Sequence, residues 1–181
     1  MQKLTHDEIA KNRRKLEEFE TLPRNPIYAL ADNIRSLYNV GSIFRSSDGA
    51  LVQTLYLTGF TPHPPRKEIE KTALGATNTV PWEYHRDPMT AVTKLKQQGV
   101  KICVLELTDR SVPYYELRPQ DFPLCLVFGN ELTGVSPEII AAADMAIDIP
   151  MYGNKQSLNV AVAYGIVLYD CLRTLHRPTR E

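Results

Sequence analysis

Short apolar runs of strand length recur along this chain, each followed by polar residues and then by a stretch with helical spacing. The runs lie at residues 27–31, 51–60, 79–84 (holding the single tryptophan, Trp82), 100–107, 122–128 and 145–149. Between them the spacing predicts helices over 40–48, over 68–74 with Gly75 as the closing residue, and from a cap at Asp87 through Gln98 with Gly99 ending it. Ser136 and Pro137 begin a short helix, with serine as cap and proline in the first turn. The longest helix is predicted over 157–176, with Leu158, Val162, Gly165, Ile166 and Tyr169 along one apolar face. Residues 109–120 read as irregular. Alternating strands and helices of this kind predict an α/β fold, a mostly parallel sheet with helices on both faces. Ligands of such sheets bind beyond the carboxyl ends of the strands. The polar loops there are therefore the places to look for chemistry.

The chain has 181 residues, the size of one domain with a sizeable core. Residues 1–24 read as an N-terminal helical extension: a helix over 5–19, with Thr5 and Glu8 as a capping box, ended by Pro23 and Pro26. Residues 25–181 then form the domain proper. The first twenty residues are charged and polar, so neither a signal peptide nor a membrane span is expected, and the expected compartment is the cytoplasm. Cys103, Cys125 and Cys171 sit in apolar runs without paired spacing, which predicts buried thiols in a reducing compartment. His6, His63, His85 and His176 are scattered, and no metal site is expected. The formal net charge is zero, so overall electrostatics give no argument for nucleic acid. Local basic clusters (Lys11, Arg13, Arg14, Lys15; Arg66, Lys67, Lys71; Arg173, Arg177, Arg180) read more readily as solvated helix faces than as phosphate tracks.

Three polar loops follow predicted strands, at residues 33–45, 129–134 and 150–159. None carries a Gly-x-Gly-x-x-Gly or phosphate-loop pattern, which disfavours an ordinary dinucleotide or ATP site. Ser157 lacks the Gly-x-Ser-x-Gly elbow of a hydrolase nucleophile. Ser157 and Asn159 also suit a helix start, because their side chains accept from unpaired backbone N–H groups.

These loops contain Asn39-Val40-Gly41-Ser42-Ile43-Phe44-Arg45, Phe128-Gly129-Asn130-Glu131-Leu132-Thr133-Gly134-Val135-Ser136, and Ile149-Pro150-Met151 through Ser157-Leu158-Asn159-Val160-Ala161. Together, in order, they resemble the three motifs of the SpoU (TrmH-like) RNA methyltransferases of the SPOUT class, and the resemblance covers residues 26–175. It implies a C-terminal trefoil knot, which base rates alone nearly exclude. It further implies an S-adenosylmethionine site in the knot loops, a homodimer with sites near the subunit interface, and 2′-O-methylation of ribose in tRNA or rRNA. On this resemblance Arg45 corresponds to the family's catalytic arginine and Asn39 to its motif partner. Glu131 corresponds to the glutamate of the second motif, and Ser157 and Asn159 to the polar pair of the third. The cofactor is expected against Leu105, Glu106, Phe128, Gly129, Asn130, Gly134, Ile149, Met151, Ser157 and Leu158. Asn33 and Arg35 are expected to face RNA.

Methyl transfer to a ribose hydroxyl needs aligned reactants and a destination for the hydroxyl proton. A guanidinium stays protonated in proteins, so Arg45 suits phosphate binding and stabilisation of a developing alkoxide better than the role of base. Glu131 could orient Arg45 or the Asn39 amide, or simply sit favourably before the helix beginning at Ser136. Two rival readings stay open at this point: a SPOUT-type base methyltransferase, and a non-catalytic RNA-binding module. About two dozen residues precede the first strand, too few for a separate RNA-binding domain. RNA recognition is then expected from the dimer surface, the N-terminal helix and the basic C-terminal tail, with a tRNA arm favoured over a ribosomal site.

Overall fold

The computed structural model describes residues 1–5, 8 and 16–176. Its strands are β1 (Asn25–Asp32), β2 (Val52–Thr58), β3 (Trp82–His85), β4 (Lys101–Leu105), β5 (Val112–Pro113), β6 (Leu124–Phe128) and β7 (Met145–Asp148). Five α-helices stand among the described residues: α1 (Leu37–Gly49), α2 (Lys67–Ala73), α3 (Pro88–Gln97), α4 (Pro137–Ala142) and α5 (Val160–Leu175). All strands pair in parallel, in the order β3-β2-β1-β6-β4-β7-β5. The chain lays β1, β2 and β3 outward, then restarts at β4 on the other side of β1. β6 fills the place between β1 and β4, and β7 the place between β4 and β5. This reversal of direction brings the loops after β1, β6 and β7 to one edge of the sheet, the location where open parallel sheets bind ligands.

Alternation along the strands sorts the core into two layers. Ala29, Ala31, Leu55, Leu57, Cys103, Leu126 and Phe128 face one side, under Ile43 and Phe44 of α1, Ile69 of α2 and Tyr164, Val167 and Leu168 of α5. Leu30, Tyr56, Ile102, Val104, Cys125 and Val127 face the other, under Val92 and Leu95 of α3 and Ile139 of α4. The α/β expectation, with helices on both faces, holds. Cys103, Cys125 and Cys171 are buried thiols as expected, and burial pushes the Cys171 thiol up to about 12.

Several local expectations change. The last helix begins at Val160, with Asn159 as its cap, not at Ser157. Its core face is Tyr164, Val167, Leu168 and Cys171, whereas the predicted stripe points outward, with Val162 52% and Tyr169 54% exposed. The reason is that α5 is apolar nearly all round, so periodicity could not choose the face that meets the sheet. Ser136 precedes α4 but does not cap it with its side chain, because its hydroxyl accepts from Asn33 Nδ2 at 3.3 Å. Two consecutive left-handed residues end α2, Leu74 (φ 53°) and Gly75 (φ 91°), so the predicted closing glycine holds and the left-handed turn begins one residue before it. Residues 109–120 hold the short edge strand β5, a 3-10 turn over Tyr114–Glu116 and the start of another over Pro119–Asp121.

Most of the helix expected over 5–19 lies outside the described residues. So do Lys11, Arg13, Arg14, Lys15, Arg177 and Arg180. What is described is the reciprocal pair of a capping box: Thr5 N donates to Glu8 Oε2 at 2.7 Å and Glu8 N to Thr5 Oγ1 at 3.3 Å. A 3-10 turn follows over Leu16–Glu20. Among the described residues no helix is long and apolar enough to cross a membrane.

Candidate active site

The loop leaving β6 is built by close approach of its own backbone. Asn130 and Gly134 exchange N–H to carbonyl bonds at 2.9 Å each, closing the loop into a small ring. A Cβ at Gly129 would lie 2.2 Å from the backbone of Gly134 and Val135, so space alone demands glycine there. Gly134 differs: its φ of +72° is in the left-handed region, and a Cβ would also meet Glu106 Oε2 at 2.3 Å. That same Glu106 oxygen accepts from Val135 N at 3.0 Å, tying the loop to the end of β4. Asn130 fixes the ring from inside. Its Oδ1 accepts from Leu132 N at 2.9 Å and Thr133 N at 3.1 Å, and its Nδ2 donates to the Asn33 carbonyl at 2.7 Å.

Beneath this loop the buried Asp32 carboxylate accepts from Ser136 N at 2.8 Å and Asn33 Nδ2 at 2.9 Å. Asn33, half-buried with φ +55°, also accepts the Phe60 N–H on Oδ1 at 3.1 Å. Its amide is thus engaged in joining the loops after β1, β2 and β6, which replaces the expectation that it faces RNA. Arg35 is exposed.

Glu131 is the centre of the arrangement. Its carboxylate accepts from Arg35 N at 3.0 Å, Ser36 N at 3.2 Å and Asn39 Nδ2 at 2.9 Å. Burial pushes this carboxyl up, but the bonds from Arg35, its own amide, Asn39 and Ser36 outweigh it and hold it below the ordinary carboxylate value. An ionised carboxylate only accepts, so the Asn39 NH2 must point at it, which leaves Asn39 Oδ1 to accept from Asn159 Nδ2 at 3.1 Å. Asn159 Oδ1 is in turn fixed by capping α5, accepting from Ala161 N at 3.0 Å and Val162 N at 3.4 Å. One chain of hydrogen bonds therefore runs from the loop after β1, through Glu131 and Asn39, to the start of α5. Three motifs distant in sequence become one polar unit.

Beside this unit lies an open cleft of about 1020 Å³ between the loops after β4, β6 and β7. All ten positions expected to hold a cofactor line it: Leu105, Glu106, Phe128, Gly129, Asn130, Gly134, Ile149, Met151, Ser157 and Leu158. Of the five expected catalytic residues, Glu131, Ser157 and Asn159 also line it. Asn39 reaches its rim through Glu131 and Asn159. Ser157 is exposed and its hydroxyl has no hydrogen-bond partner among the described residues, so it faces the cleft without capping the helix. Arg45 stands apart. Six residues beyond Asn39 on α1, it is about 9 Å further along the axis and turned well away from the Asn39 face, exposed and outside the cleft lining. Leu107, Asp148, Asn154, Lys155 and Gln156 also line the cleft and were not singled out from sequence. The three last stand in the polar run before Ser157, and that run was the available signal.

The profile of the SpoU rRNA methylase family matches residues 26–169. The chain belongs to this family. It is 36% identical over 168 residues to the tRNA (guanosine(18)-2′-O)-methyltransferase of Aquifex aeolicus (strain VF5), covering 91% of this chain and 77% of that protein. It is 34% identical over 144 residues to the Escherichia coli (strain K12) protein of the same name, covering 78% of this chain and 61% of the relative. An AdoMet-bound rRNA methyltransferase from Sinorhizobium meliloti superposes with a TM-score of 0.77 at 27% identity, over 84% of this chain and 58% of that one. The chain thus spans about three fifths of the length of the last two SpoU relatives. The family resemblance read from the three motifs is borne out.

Proposed function

We propose that this SpoU family chain is an S-adenosylmethionine-dependent RNA methyltransferase that modifies a ribose 2′-hydroxyl, with tRNA favoured over rRNA as substrate. The observation that carries the reading is the Glu131–Asn39–Asn159 unit set against a cleft lined by all ten expected cofactor positions. The names of the Aquifex and Escherichia relatives support ribose over base methylation, and tRNA over rRNA. In this reading the protein works on RNA in the cytoplasm.

The cleft suits S-adenosylmethionine in its chemistry. Leu105, Phe128, Ile149, Met151 and Leu158 offer apolar walls for an adenine ring and a methionine chain. Gly129 and Gly134 let the loop after β6 close tightly on itself and against Glu106, which fixes one wall of the cleft. When bound, the cofactor supplies an electrophilic methyl on a sulfonium and carries away the thioether. The protein holds and orients. Glu131 and Asn39 keep the motif loops in one arrangement, so that the acceptor ribose meets a preorganised rim. Ser157 offers an uncommitted hydroxyl at that rim. Arg45 binds an RNA phosphate and stabilises negative charge developing on the 2′-oxygen, while the hydroxyl proton leaves to phosphate or water.

That role for Arg45 calls for a second copy of the chain. The outward face of α5 carries Val162, Ile166 and Tyr169, with Leu158 just before its cap, all exposed in one copy, and α1 packs against α5 where Gly49 lies under the Tyr169 hydroxyl. Covering this apolar stripe in a homodimer buries it and brings Arg45, on α1, to the subunit boundary. A trefoil knot formed by β7, its following loop and α5 accords with the insertion of β6 and β7 between strands already laid down. In this reading residues 1–24 are a helical extension of a SPOUT methyltransferase domain over 25–181.

The test is calorimetry with S-adenosylmethionine, followed by radiolabelled methyl transfer to separate tRNA and rRNA pools. Binding with label in tRNA, lost in Arg45→Ala, is expected. Absence of cofactor binding would overturn the reading.

A further inference from the structure

The turn after β2 is hydrogen-bonded at nearly every position, yet it displays a large aromatic side chain to solvent. Gly59 has φ +65°, and a Cβ there would lie 2.0 Å from Asn33 Oδ1, so neither its conformation nor its surroundings admit another residue. Gly59 N donates to the His85 carbonyl at 3.1 Å, Thr61 N to the Thr58 carbonyl at 3.1 Å, and Phe60 N to Asn33 Oδ1 at 3.1 Å. Tyr84 Oη donates to the Gly59 carbonyl at 2.7 Å, and Thr61 Oγ1 accepts from Ile34 N at 3.0 Å. Phe60 on this fixed turn is 61% exposed and makes no ring contact among the described residues. Packing does not explain it.

Next to it an aromatic ladder climbs from the core to the surface. Phe44 meets Trp82 edge-on at 6.3 Å, Trp82 stacks on His63 at 6.0 Å, and His63 lies 4.7 Å from the ring of Tyr84. His63 and Tyr84, like Phe60, are exposed. The backbone places three exposed arginines around this turn: Arg35 follows the Ile34 that bonds Thr61, Arg86 follows the His85 that bonds Gly59, and Arg66 lies three residues past His63. The acids of β3 and the loop after it are already engaged, Glu83 by Lys94 and His85, and Asp87 by the Met89 amide. Rigid aromatic faces among cations are the chemistry that holds an unstacked base with its phosphates. Continuity with the cleft decides the occupant. Asn33 holds Phe60 through its side chain and cleft-lining Asn130 through its carbonyl, so the turn sits two hydrogen bonds from the site that an RNA acceptor must enter.

We propose that Phe60, beside the His63–Tyr84 pair, is a stacking platform for an unpaired base of the substrate RNA flanking the methyl acceptor. The platform rests on the RNA methyltransferase reading above. Its role is to position RNA, so it acts on RNA affinity and leaves the cofactor site alone.

The experiment is steady-state methyl transfer to the RNA pool that the wild-type protein labels, with F60A, F60L and F60W measured beside it, together with calorimetric S-adenosylmethionine affinity and Tm. Removing one stacking partner raises KM for RNA on the order of tenfold in F60A and F60L, with kcat, cofactor affinity and Tm unchanged, and F60W restores KM. A KM in F60A equal to that of wild type overturns the platform, as does a KM change that tracks a fall in Tm. Wild-type protein that labels no RNA would instead overturn the methyltransferase reading.

Discussion

Glu131 shows how much a single side chain organises in this molecule. Its carboxylate collects three N–H donors from the start of α1, and those bonds hold its pKa below the ordinary 4.5. A group whose folded pKa is depressed contributes stability that is complete above the unfolded value and lost as pH falls through the folded one. Glu131→Gln has no such titration. The Tm difference between wild type and this variant should therefore shrink as pH drops below about 4.5, from a contribution of at most about 1 kcal/mol for so exposed a group. A difference that stays constant across that range would show that the bonds to Glu131 do not depend on its charge. The two loop glycines give a second expectation. Gly129→Ala forces backbone against backbone, and Gly134→Ala puts a side chain into left-handed φ and against Glu106. Both should weaken S-adenosylmethionine binding by about tenfold or more, a cost on the order of 1–3 kcal/mol, read by calorimetry. The residues of this network were legible as motif positions, but their bonds were not. Asn39 and Glu131 are 92 residues apart and Asn39 and Asn159 are 120 apart, and no local spacing connects such distances.

At the scale of elements, α5 carries two functions that one substitution can separate. Asn159 both caps the helix and donates to Asn39. Asn159→Asp keeps a cap acceptor but loses the donor, and it sets a carboxylate against Asn39 Oδ1. It should retain wild-type stability within about 1 kcal/mol while methyl transfer falls, whereas Asn159→Ala should lose both; a fully active Asn159→Asp would remove the bridge from the account. The outward stripe of the same helix makes a separate prediction. Val162→Asp together with Ile166→Asp should leave a folded monomer by light scattering and circular dichroism, since neither residue belongs to the core of one copy. A dimer that survives these changes would place the interface elsewhere. Sequence periodicity found this helix, most of its length and one of its apolar faces, but not which face meets the sheet. A helix apolar on both sides offers two faces for packing, and only the packed fold shows which of them meets the sheet.

At the scale of the whole molecule, strand and helix content and the parallel pairing could be read from the alternation of patterns. The strand order could not. Placing β6 between β1 and β4, and β7 between β4 and β5, depends on which buried runs sit edge to edge, and Leu124–Phe128 and Lys101–Leu105 carry no local mark of their neighbours. The candidate site was legible in part because its motifs fall at strand ends, which the sheet gathers around one cleft, whereas Arg45 on α1 lies outside the cleft lining. With a formal net charge of zero, RNA binding should weaken only modestly between low and physiological salt, consistent with few phosphate contacts. A steep logarithmic salt slope in filter binding would contradict this. The central claim is the chemical position of the methyl group. The most direct test labels RNA with radioactive S-adenosylmethionine and digests it in alkali, which cannot cleave next to a methylated ribose oxygen. The account predicts radioactivity in alkali-resistant dinucleotides from tRNA, whereas label recovered only in single nucleotides with a modified base would contradict it.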